Sequence, residues 1–152
     1  EFRRVLFRSA DDTKVIFEFG IGGDWKQNSS RWILDEWKAP KTERPWGYYR
    51  VLHEHGQEVK LKELTVEPGR SLSMQRHEKR AEFWFVAEGQ ATVYTIDQRK
   101  TDAELIGVFG EHQYVFISNN QWHQLCNESN KPLRLIEIQY GEECTELDIT
   151  RK

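Results

Sequence analysis

The chain has 152 residues, of which 31% are charged and 38% hydrophobic, and its formal net charge is -3 at pH 7. This composition is typical of a globular protein with one domain and a sizeable core. The slight negative charge argues against nucleic acid as a partner, and the absence of an apolar run of roughly 20 residues argues against a membrane. The two cysteines, Cys126 and Cys144, have neither metal-type spacing nor a disulfide pattern, so we expect a cytoplasmic protein with free thiols.

The segment EFRRVLFRS, residues 1–9, differs from the rest of the chain. It has no initiator Met, and it has neither the long apolar core nor the small-residue cleavage site of a targeting peptide. A nucleotide string that encodes it resembles a common sequencing adapter. We therefore interpret Glu1 to Ser9 as an assembly artefact, and we expect the native chain to extend upstream of Ala10.

Residues 10–42 form a predicted N-terminal extension. VIFEFGIGG predicts a strand that runs into a glycine turn, and NSSRWILDEW predicts a helix with Asn28 or Ser29 as its N-cap. One interpretation is an amphipathic helix that packs on the following domain. In the other, GIGGDWKQNSSRWIL resembles the last conserved segment of small cytidylyltransferase-like nucleotidyltransferases, whose serine-bearing helix start binds phosphate. The second interpretation makes residues 10–42 the remnant of an upstream nucleotidyltransferase domain.

A predicted linker and a series of predicted strands follow. Ala39 to Pro45 is interpreted as a linker, because two prolines in six residues disfavour a regular element. From Trp46 onward, eight short segments predict strands separated by turn residues: WGYYRVL, VKLKELTVEP, EFWFVAEG, ATVYTI, ELIGVF, YVFISN, WHQLCN and LRLIEIQYG. Strands of this length without helical patterns between them favour a sandwich or barrel, and a jelly roll protects the sheet edges most economically.

Residues of metal-ligating type occur on and beside two of these segments. Gln75 and His77 stand two residues apart, which places them on one face of an extended chain. Glu82 comes at the start of the apolar segment that follows, and His123 lies far downstream in WHQLCN. Nitrogen and oxygen donors of this kind bind Zn²⁺, Fe²⁺, Mn²⁺ or a similar divalent ion. The pattern predicts that these four side chains converge inside the β-structure and hold a metal.

Two stretches of the chain resemble the motifs of the cupin family. GRSLSMQRHEKRAEFWFVAEG, residues 69–89, resembles the first motif, with Gln75 in place of the first histidine. SNNQWHQLCN, residues 118–127, resembles the second motif, in which His123 is followed by Asn127. Glutamine in place of that histidine is typical of phosphomannose isomerases. Over roughly residues 43–151 the flanking segments are similar to the type II mannose-6-phosphate isomerase domain, which also forms the C-terminal part of bifunctional mannose-1-phosphate guanylyltransferase/isomerase enzymes.

This resemblance implies a fold, a ligand set and partners. The implied fold is all-β, a double-stranded β-helix or cupin jelly roll over residues 43–152, preceded by a short strand and helix extension. The family's metal ligands correspond to Gln75, His77, Glu82 and His123, with Zn²⁺ as the expected ion. The implied ligand is a small-molecule sugar phosphate, and the implied assembly is a homodimer.

The implied chemistry is aldose–ketose isomerisation by proton transfer between C1 and C2 of a sugar phosphate. We assign Lys62 and Glu137 to catalysis, since Glu137 stands in an otherwise apolar segment where burial would raise its pKa. Arg80 and Arg151 are assigned to the phosphate, for which Lys62 is also a candidate, although the pattern leaves its inward direction open. The alternatives are a surface or ion-pair role for Arg80 and a paired buried carboxylate for Glu137.

Three features depart from the family pattern. Glu78 and Lys79 stand where family members have a histidine-rich run, and Phe83 stands where they have a histidine. Ser118 and Asn120 replace a proline and a glycine. We expect Asn120 to adopt the same turn, because asparagine tolerates positive φ.

The remaining histidines and aromatic residues have simpler interpretations. His53, His55 and His112 are expected to be exposed or structural. The aromatic run Phe83 to Phe85 is expected to form core and pocket wall.

Three functions are compatible with this site. The first is a metal-dependent sugar-phosphate isomerase of the mannose-6-phosphate/fructose-6-phosphate type, in nucleotide-sugar and polysaccharide biosynthesis, and the retained ligand set favours it. The second is a non-catalytic cupin module that binds a sugar phosphate or nucleotide sugar beside a nucleotidyltransferase domain, and the altered residues after His77 favour it. The third, a metal-dependent dioxygenase, is disfavoured because Gln75 replaces a histidine.

Overall fold

The computed structural model describes residues 38–97 and 102–152, and within these ranges the chain is almost entirely β. The predictions for residues 1–37, including the helix capped by Asn28 or Ser29, lie outside the described residues. The eight strands predicted from Trp46 onward are confirmed, with ends shifted by a few residues. The described strands are β1 (Lys41–Arg44), β2 (Gly47–His55), β3 (Val59–Val66), β4 (Gln75–Arg76), β5 (Arg80–Glu88), β6 (Ala91–Thr95), β7 (Glu104–Phe109), β8 (Tyr114–Ile117), β9 (Gln124–Cys126), β10 (Leu133–Gly141) and β11 (Thr150–Arg151), with one 3-10 turn at Glu146–Asp148.

The strands form a large sheet, a small sheet and one short pair, all antiparallel. The large sheet has the order β1-β2-β3-β10-β5-β8, and the small sheet has the order β7-β6-β9. β4 pairs with β11. β10 lies between β3 and β5, so the last long strand joins two strands that come much earlier in the chain. This order, with apolar side chains between the sheets, confirms the predicted all-β class.

The predicted linker from Ala39 to Pro45 is wrong, because its central residues form β1. β1 pairs with the start of β2 and lies at the edge of the large sheet. Pro40 and Pro45 flank the strand, so neither proline removes a hydrogen bond from the interior of a sheet. The two prolines therefore limit the length of this strand without preventing it.

Alternating side chains of both sheets form the core. Trp84 on β5 is completely buried, whereas Phe83 and Phe85 on the same strand are half-buried and face the other side of the sheet. There Phe83 stacks on Tyr114, with 5.2 Å between ring centroids. The expectation that the whole aromatic run joins the core is therefore wrong, because alternation directs only Trp84 inward. The core consists of Leu64, Val66, Leu72, Trp84, Val86, Ala91, Val93, Val115, Ile117, Leu125, Leu133 and Leu135.

The inward-facing side chains change from apolar to polar along β3, β5 and β10. On β10, for example, Leu133 and Leu135 belong to the core, and Glu137 and Gln139 follow on the same face. All of these side chains are buried. We call the two parts of the interior the apolar half, which includes Leu64, Trp84, Leu133 and Leu135, and the polar half, which includes Lys62, Glu82, Glu137 and Gln139.

Cys126 and Cys144 are buried and free, as predicted. Burial raises the pKa of each thiol, so both stay protonated at neutral pH. Across residues 38–97 and 102–152, no helix has the length and apolar character needed to cross a bilayer.

Candidate functional site

Three of the four predicted metal ligands meet in the polar half of the interior. His77, Glu82 and His123 each offer a ligand atom within 4.8 Å of the others, and each residue is 1% exposed. Oε1 of Glu82 lies 3.1 Å from Nε2 of His77, and Oε2 of Glu82 lies 3.7 Å from Nε2 of His123. The structure therefore brings together a His–Glu–His group that is capable of holding one metal ion.

Backbone pairing explains why ligands that are distant in sequence meet. The amide of Gln75 donates to the carbonyl of His123 at 2.9 Å, and the amide of His123 donates to the carbonyl of Gln75 at 2.8 Å. The carbonyl of His77 accepts a hydrogen bond from the amide of Asn120 at 2.6 Å. Asn120 has a φ of 62°, which confirms the turn expected for it. These bonds connect the two cupin-like motifs directly.

Both histidine rings are oriented by backbone carbonyl groups. Nδ1 of His77 lies 3.1 Å from the carbonyl oxygen of Asp148, and Nδ1 of His123 lies 2.9 Å from that of Gln121. A carbonyl oxygen only accepts, so each Nδ1 carries a proton. Nε2 of His123 is buried without a hydrogen-bond partner among the described residues, and burial lowers the pKa of that ring. This arrangement is typical of metal-binding histidines, so the residues fit a divalent ion.

Glu82 is the electrostatic centre of the group. Its carboxylate accepts hydrogen bonds from Nε of Arg80 at 3.2 Å and from Nε1 of Trp84 at 3.0 Å. Burial raises the pKa of Glu82, but the hydrogen bond and charge of His77, with contributions from His123 and Arg80, outweigh burial and hold that pKa well below its usual range. Glu82 is therefore ionised at neutral pH, as a metal ligand must be.

Gln75, the fourth predicted ligand, lies beside this group. It is 9% exposed, and its Oε1 lies 3.5 Å from Oγ of Ser73. Its backbone pairing with His123 places it next to the second histidine. The ligand roles of Gln75 and of the His–Glu–His group stay predictions.

The 3-10 turn near the end of the chain supports the metal group from outside. Oδ1 of Asp148 accepts a hydrogen bond from the amide of Glu78 at 3.0 Å, and the amide of Lys79 donates to both carboxylate oxygens at 3.2 and 3.1 Å. The carbonyl of Thr145 accepts a hydrogen bond from Nη1 of Arg80 at 2.7 Å. Asp148 was not among the residues predicted from the sequence, because an acidic residue 70 positions from Glu78 gives no local signal of this contact.

A cavity of about 360 Å³ adjoins the metal group through Gln75, Arg80 and Gln139. This volume is within the range of pockets that bind small molecules. The wall combines apolar side chains with both signs of charge, which suits a small polar molecule that carries negative charge. The apolar side chains include Trp46, Leu64, Leu72 and Ile149, the cationic ones are Arg44, Lys62, Arg80 and Arg151, and the acidic ones are Glu137 and Glu146.

Lys62 and Glu137, the predicted catalytic residues, are neighbours in the cavity wall. They are partners in the β3–β10 register, and Nζ lies 3.9 Å from Oε2. Burial and the charge of Glu82 raise the pKa of Glu137 to about 8, although Lys62 and Arg80 act in the opposite direction. Burial would lower the pKa of Lys62, but the charges of Glu137 and Glu146 outweigh burial and raise it. Lys62 therefore stays cationic, and Glu137 exchanges its proton near neutral pH.

The two arginines assigned to the phosphate occupy different environments. Arg80 is 2% exposed, and its guanidinium contacts Glu82, Thr145 and His77, the last at 3.4 Å between Nη2 and Nε2. It is therefore an ion-pair residue, as the alternative interpretation expected, although a buried one. Arg151 lies at the cavity wall with an exposed side chain, 3.9 Å from Glu146. A phosphate contact by either arginine stays a prediction.

Gln139 is a site residue that was not predicted from the sequence. It is the partner of Glu82 in the β10–β5 register. Its Nε2 donates to Oε1 of Glu82 at 3.2 Å and to Oε2 of Glu137 at 2.8 Å. Strand alternation could have predicted it, because Gln139 follows Glu137 by two positions and therefore shares its inward face of the strand.

Sequence comparison identifies the relatives of the chain. Residues 35–152 match the family described as Mannose-6-phosphate isomerase C-terminal. The chain is 40% identical over 111 residues to the Xanthan biosynthesis protein XanB of Xanthomonas campestris pv. campestris, covering 73% of this chain and 22% of that protein. It is 40% identical over 108 residues to a Mannose-1-phosphate guanylyltransferase of Salmonella muenchen, covering 71% of this chain and 21% of the relative. The chain thus spans about a fifth of the length of these curated relatives.

Structural comparison supports the same assignment at the level of the fold. The capsular polysaccharide assembling protein CapF from Staphylococcus aureus matches with a TM-score of 0.65 at 11% identity, over 74% of this chain and 34% of that chain. A likeness at this identity shows the fold alone, and it confirms the predicted cupin jelly roll. Together with this fold, the match over residues 35–152 and the 40% identity to both relatives show that the chain belongs to the family of mannose-6-phosphate isomerase C-terminal domains.

Proposed function

We propose that the chain is a metal-dependent isomerase that interconverts mannose 6-phosphate and fructose 6-phosphate, in nucleotide-sugar and polysaccharide biosynthesis. The observation that carries the proposal is the position of the His77–Glu82–His123 group beside a cavity whose wall contains Lys62 and Glu137. Such a site combines a metal-capable centre with groups for proton transfer and for binding an anion. The family supports the sugar-phosphate class of substrate.

The proposed metal site lies in the polar half of the interior. His77, Glu82, His123 and Gln75 hold it, and Zn²⁺ is the expected ion because imidazole and carboxylate donors suit it. When bound, a divalent cation supplies electrostatic stabilisation of the negative charge that develops on the sugar oxygens. The chain itself orients both imidazole rings through Nδ1 and keeps the group away from water.

Proton transfer is assigned to Glu137. Isomerisation moves one proton between C1 and C2 of the sugar and another between their oxygens. In its carboxylate form, Glu137 takes the proton from C2 of the aldose and returns it to C1, so the residue is unchanged after one cycle. Lys62, with Nζ 3.9 Å from Oε2 of Glu137, places a fixed positive charge beside the reacting oxygens.

The phosphate is assigned to the cationic side of the cavity. Arg151 is well placed for it, because its side chain lies at the cavity wall and is 56% exposed. Arg80 contributes its charge from a buried position, where Glu82 and Thr145 hold its guanidinium. An arginine fork matches the geometry of phosphate oxygens.

The test is a coupled assay of fructose 6-phosphate formation from mannose 6-phosphate, using the full chain with added Zn²⁺, Co²⁺ or Mn²⁺. We expect turnover that requires the metal and is lost in the Glu137→Gln variant. His112→Ala, which changes an exposed histidine, serves as the matched control and should remain active. A protein that binds one metal per chain by elemental analysis but forms no fructose 6-phosphate overturns the proposal.

A second function is favoured by the residues that depart from the family pattern. Glu78, Lys79 and Phe83 replace histidines, and the buried guanidinium of Arg80 balances the charge of Glu82. A non-catalytic module that binds a sugar phosphate or nucleotide sugar beside a nucleotidyltransferase domain needs neither the histidines nor turnover. Binding of mannose 6-phosphate without formation of fructose 6-phosphate would support this second function.

We also propose that the protein works in the cytoplasm as a homodimer. The outer face of β5, β8 and β10 carries Tyr114, Phe116, Ile138 and Tyr140, which are 63%, 48%, 36% and 41% exposed. Because these strands are neighbours, the side chains form one aromatic patch of the kind found in interfaces. Light scattering should give the mass of two chains for the wild type and of one chain for Phe116→Glu. A monomeric wild type at micromolar concentration contradicts this assembly.

A further inference from the structure

One carboxylate of the chain lies between two cations of the cavity wall. Oε1 of Glu146 accepts a hydrogen bond from Nζ of Lys62 at 3.2 Å, and Oε2 of Glu146 lies 3.9 Å from Nη2 of Arg151. All three residues line the cavity. Cationic groups in a cavity attract the anionic group of a ligand, and here the chain supplies an anionic group of its own at that place.

Glu146 is held less firmly than the lysine that it contacts. Its side chain is 53% exposed, whereas the side chain of Lys62 is 9% exposed and belongs to β3. Glu146 begins the 3-10 turn, and the next residue, Leu147, is 93% exposed. The carboxylate of Asp148 anchors this turn through backbone amides of the loop after His77. The Glu146 side chain can therefore rotate into solvent while Lys62 and the 3-10 turn stay in place.

A phosphate group competes well for the position of this carboxylate. A phosphate monoester carries a charge of about −1.5 to −2 at pH 7 and has three acceptor oxygens, whereas a carboxylate carries a single charge and has two oxygens. Lysine and arginine both bind phosphate, so Lys62 and Arg151 gain a stronger partner when phosphate replaces Glu146. Lys62 also keeps its buried neighbour Glu137, whose Oε2 lies 3.9 Å from Nζ.

We propose that the carboxylate of Glu146 occupies the phosphate subsite formed by Lys62 and Arg151, and that a bound phosphate group displaces it. Glu146 then acts as an internal competitor, which lowers the affinity of the subsite for every anion by the same factor. This competition excludes weakly bound anions, whereas a ligand with further contacts in the cavity still binds. The inference rests on the ligand class of the proposed function and deepens it by assigning the phosphate to one place in the cavity wall.

The test measures the binding of two small anions to the full chain by NMR titration at pH 7.5. Methyl phosphate carries about two negative charges at this pH, and methyl sulfate has the same shape with a single charge. Glu146→Gln removes the competing charge, so we expect it to bind each probe about three- to fivefold more tightly than the wild type. This gain corresponds to about 0.6–1 kcal/mol, the size of a partly exposed ion pair.

The ratio of the two gains distinguishes displacement from a charge effect over distance. A displaced competitor costs every ligand the same free energy, so the gains for methyl phosphate and methyl sulfate should be equal. Repulsion by a Glu146 carboxylate that stays in place would instead scale with the charge of the ligand. The gain for methyl phosphate would then be about the square of the gain for methyl sulfate, and this result overturns the inference.

Glu142→Gln is the matched control, because it removes the same charge from an exposed position that does not line the cavity. It should bind both probes as the wild type does. Arg151→Gln removes one side of the subsite and should weaken the binding of both probes about threefold or more. Wild-type affinity in Arg151→Gln overturns the inference, and so does a gain in Glu142→Gln equal to that in Glu146→Gln.

The isomerase assay gives an independent result. Equal gains in Glu146→Gln without turnover of mannose 6-phosphate by the metal-loaded chain support the inference and overturn the isomerase proposal alone. Turnover by the wild type together with unchanged affinities in Glu146→Gln overturns the inference alone. Failure of both the wild type and Glu146→Gln to bind methyl phosphate also overturns the inference, whether or not the chain turns over mannose 6-phosphate.

Discussion

The apolar half and the polar half of the interior share the same strands but are stabilised differently. In the apolar half, Leu133, Leu135 and Trp84 are completely buried and held by close packing between the two sheets. In the polar half, side chains are held by hydrogen bonds and ion pairs within and between elements, as Gln139 on β10 is to Glu82 on β5 and Lys62 is to Glu146 in the 3-10 turn. Packing in the apolar half therefore places the strands, and the placed strands bring the polar groups together in the other half.

Trp84 contacts both halves. Its ring belongs to the core, and its Nε1 donates a hydrogen bond to Oε2 of Glu82 at 3.0 Å. The orientation of the central carboxylate is therefore coupled to the packing of the largest core side chain. Changes in one half should nevertheless have different primary effects from changes in the other, and the following experiments measure that difference.

The largest effect is expected for His123→Ala in the polar half. This change removes a metal ligand, so metal-dependent isomerisation should fall at least about 1,000-fold, roughly 4 kcal/mol in the activation barrier. The melting temperature should fall as well, because truncating this buried ring leaves a cavity and removes the hydrogen bond from Nδ1 to the carbonyl of Gln121, so activity is compared per folded chain. His112→Ala is the control. Wild-type isomerase activity in His123→Ala would contradict the assignment of His123 as a metal ligand in the polar half.

Leu135→Ala in the apolar half should lower stability and leave the metal affinity of the folded chain unchanged. Leu135 is completely buried, so the cavity left behind should lower the free energy of unfolding by about 2–5 kcal/mol in urea titrations. Zn²⁺ affinity per folded chain should be unchanged. Leu105→Ala, at a position that is 56% exposed, should cost less than about 0.5 kcal/mol. Loss of metal binding without loss of stability would contradict the separation of the two halves.

Asp148→Asn tests the support that the 3-10 turn gives to the polar half. The carboxylate accepts hydrogen bonds from the amides of Glu78 and Lys79, in the loop that follows His77. We expect Zn²⁺ affinity to fall about 10- to 100-fold, as is usual when the residues that orient metal ligands change. Competition with a chelating dye measures this affinity. Glu142→Gln, at an exposed position nearby, is the control, and an equal loss in both variants would contradict a specific role for Asp148.

The smallest effect is expected at the rim of the cavity, where Lys62 pairs with Glu146 at 3.2 Å. Burial raises the pKa of Glu146, but Lys62 outweighs burial and lowers it below the usual 4.5. Because the pKa of Glu146 is lower in the folded chain than in the unfolded chain, its ionised side chain stabilises the fold at pH values above the unfolded pKa. This stabilisation is lost as the pH falls through the folded pKa. Glu146→Gln should therefore cost less than about 1 kcal/mol at pH 7, since the pair is partly exposed.

Urea titrations at two pH values check this expectation. At an acidic pH below the lowered pKa of Glu146 in the folded chain, the stabilities of Glu146→Gln and of the wild type should converge. Glu67→Gln, at an exposed position, should show no comparable change between the two pH values. A difference between Glu146→Gln and wild type that persists at low pH would show that the side chain acts through packing and not through its charge.

Local sequence patterns were sufficient to predict the strands and the convergence of three residues of the candidate metal group. Strand formation and side-chain direction depend on alternation over a few residues, which is a local property. Local alternation therefore predicted eight strands, and the motif spacing predicted the convergence of His77, Glu82 and His123. The left-handed turn at Asn120 was predictable for the same reason, because it depends on the conformational preference of one residue.

The pairing of the polar groups depends on contacts between segments that are distant in sequence. Gln139 bonds to Glu82 because β10 lies beside β5, and Asp148 reaches Glu78 across 70 positions of sequence. The buried pairing of Arg80 and the edge pairing of β1 depend in the same way on neighbours supplied by distant segments. No local pattern specifies these neighbours, because a hydrogen-bond partner is determined by distances between side chains that exist only after the sheets have assembled.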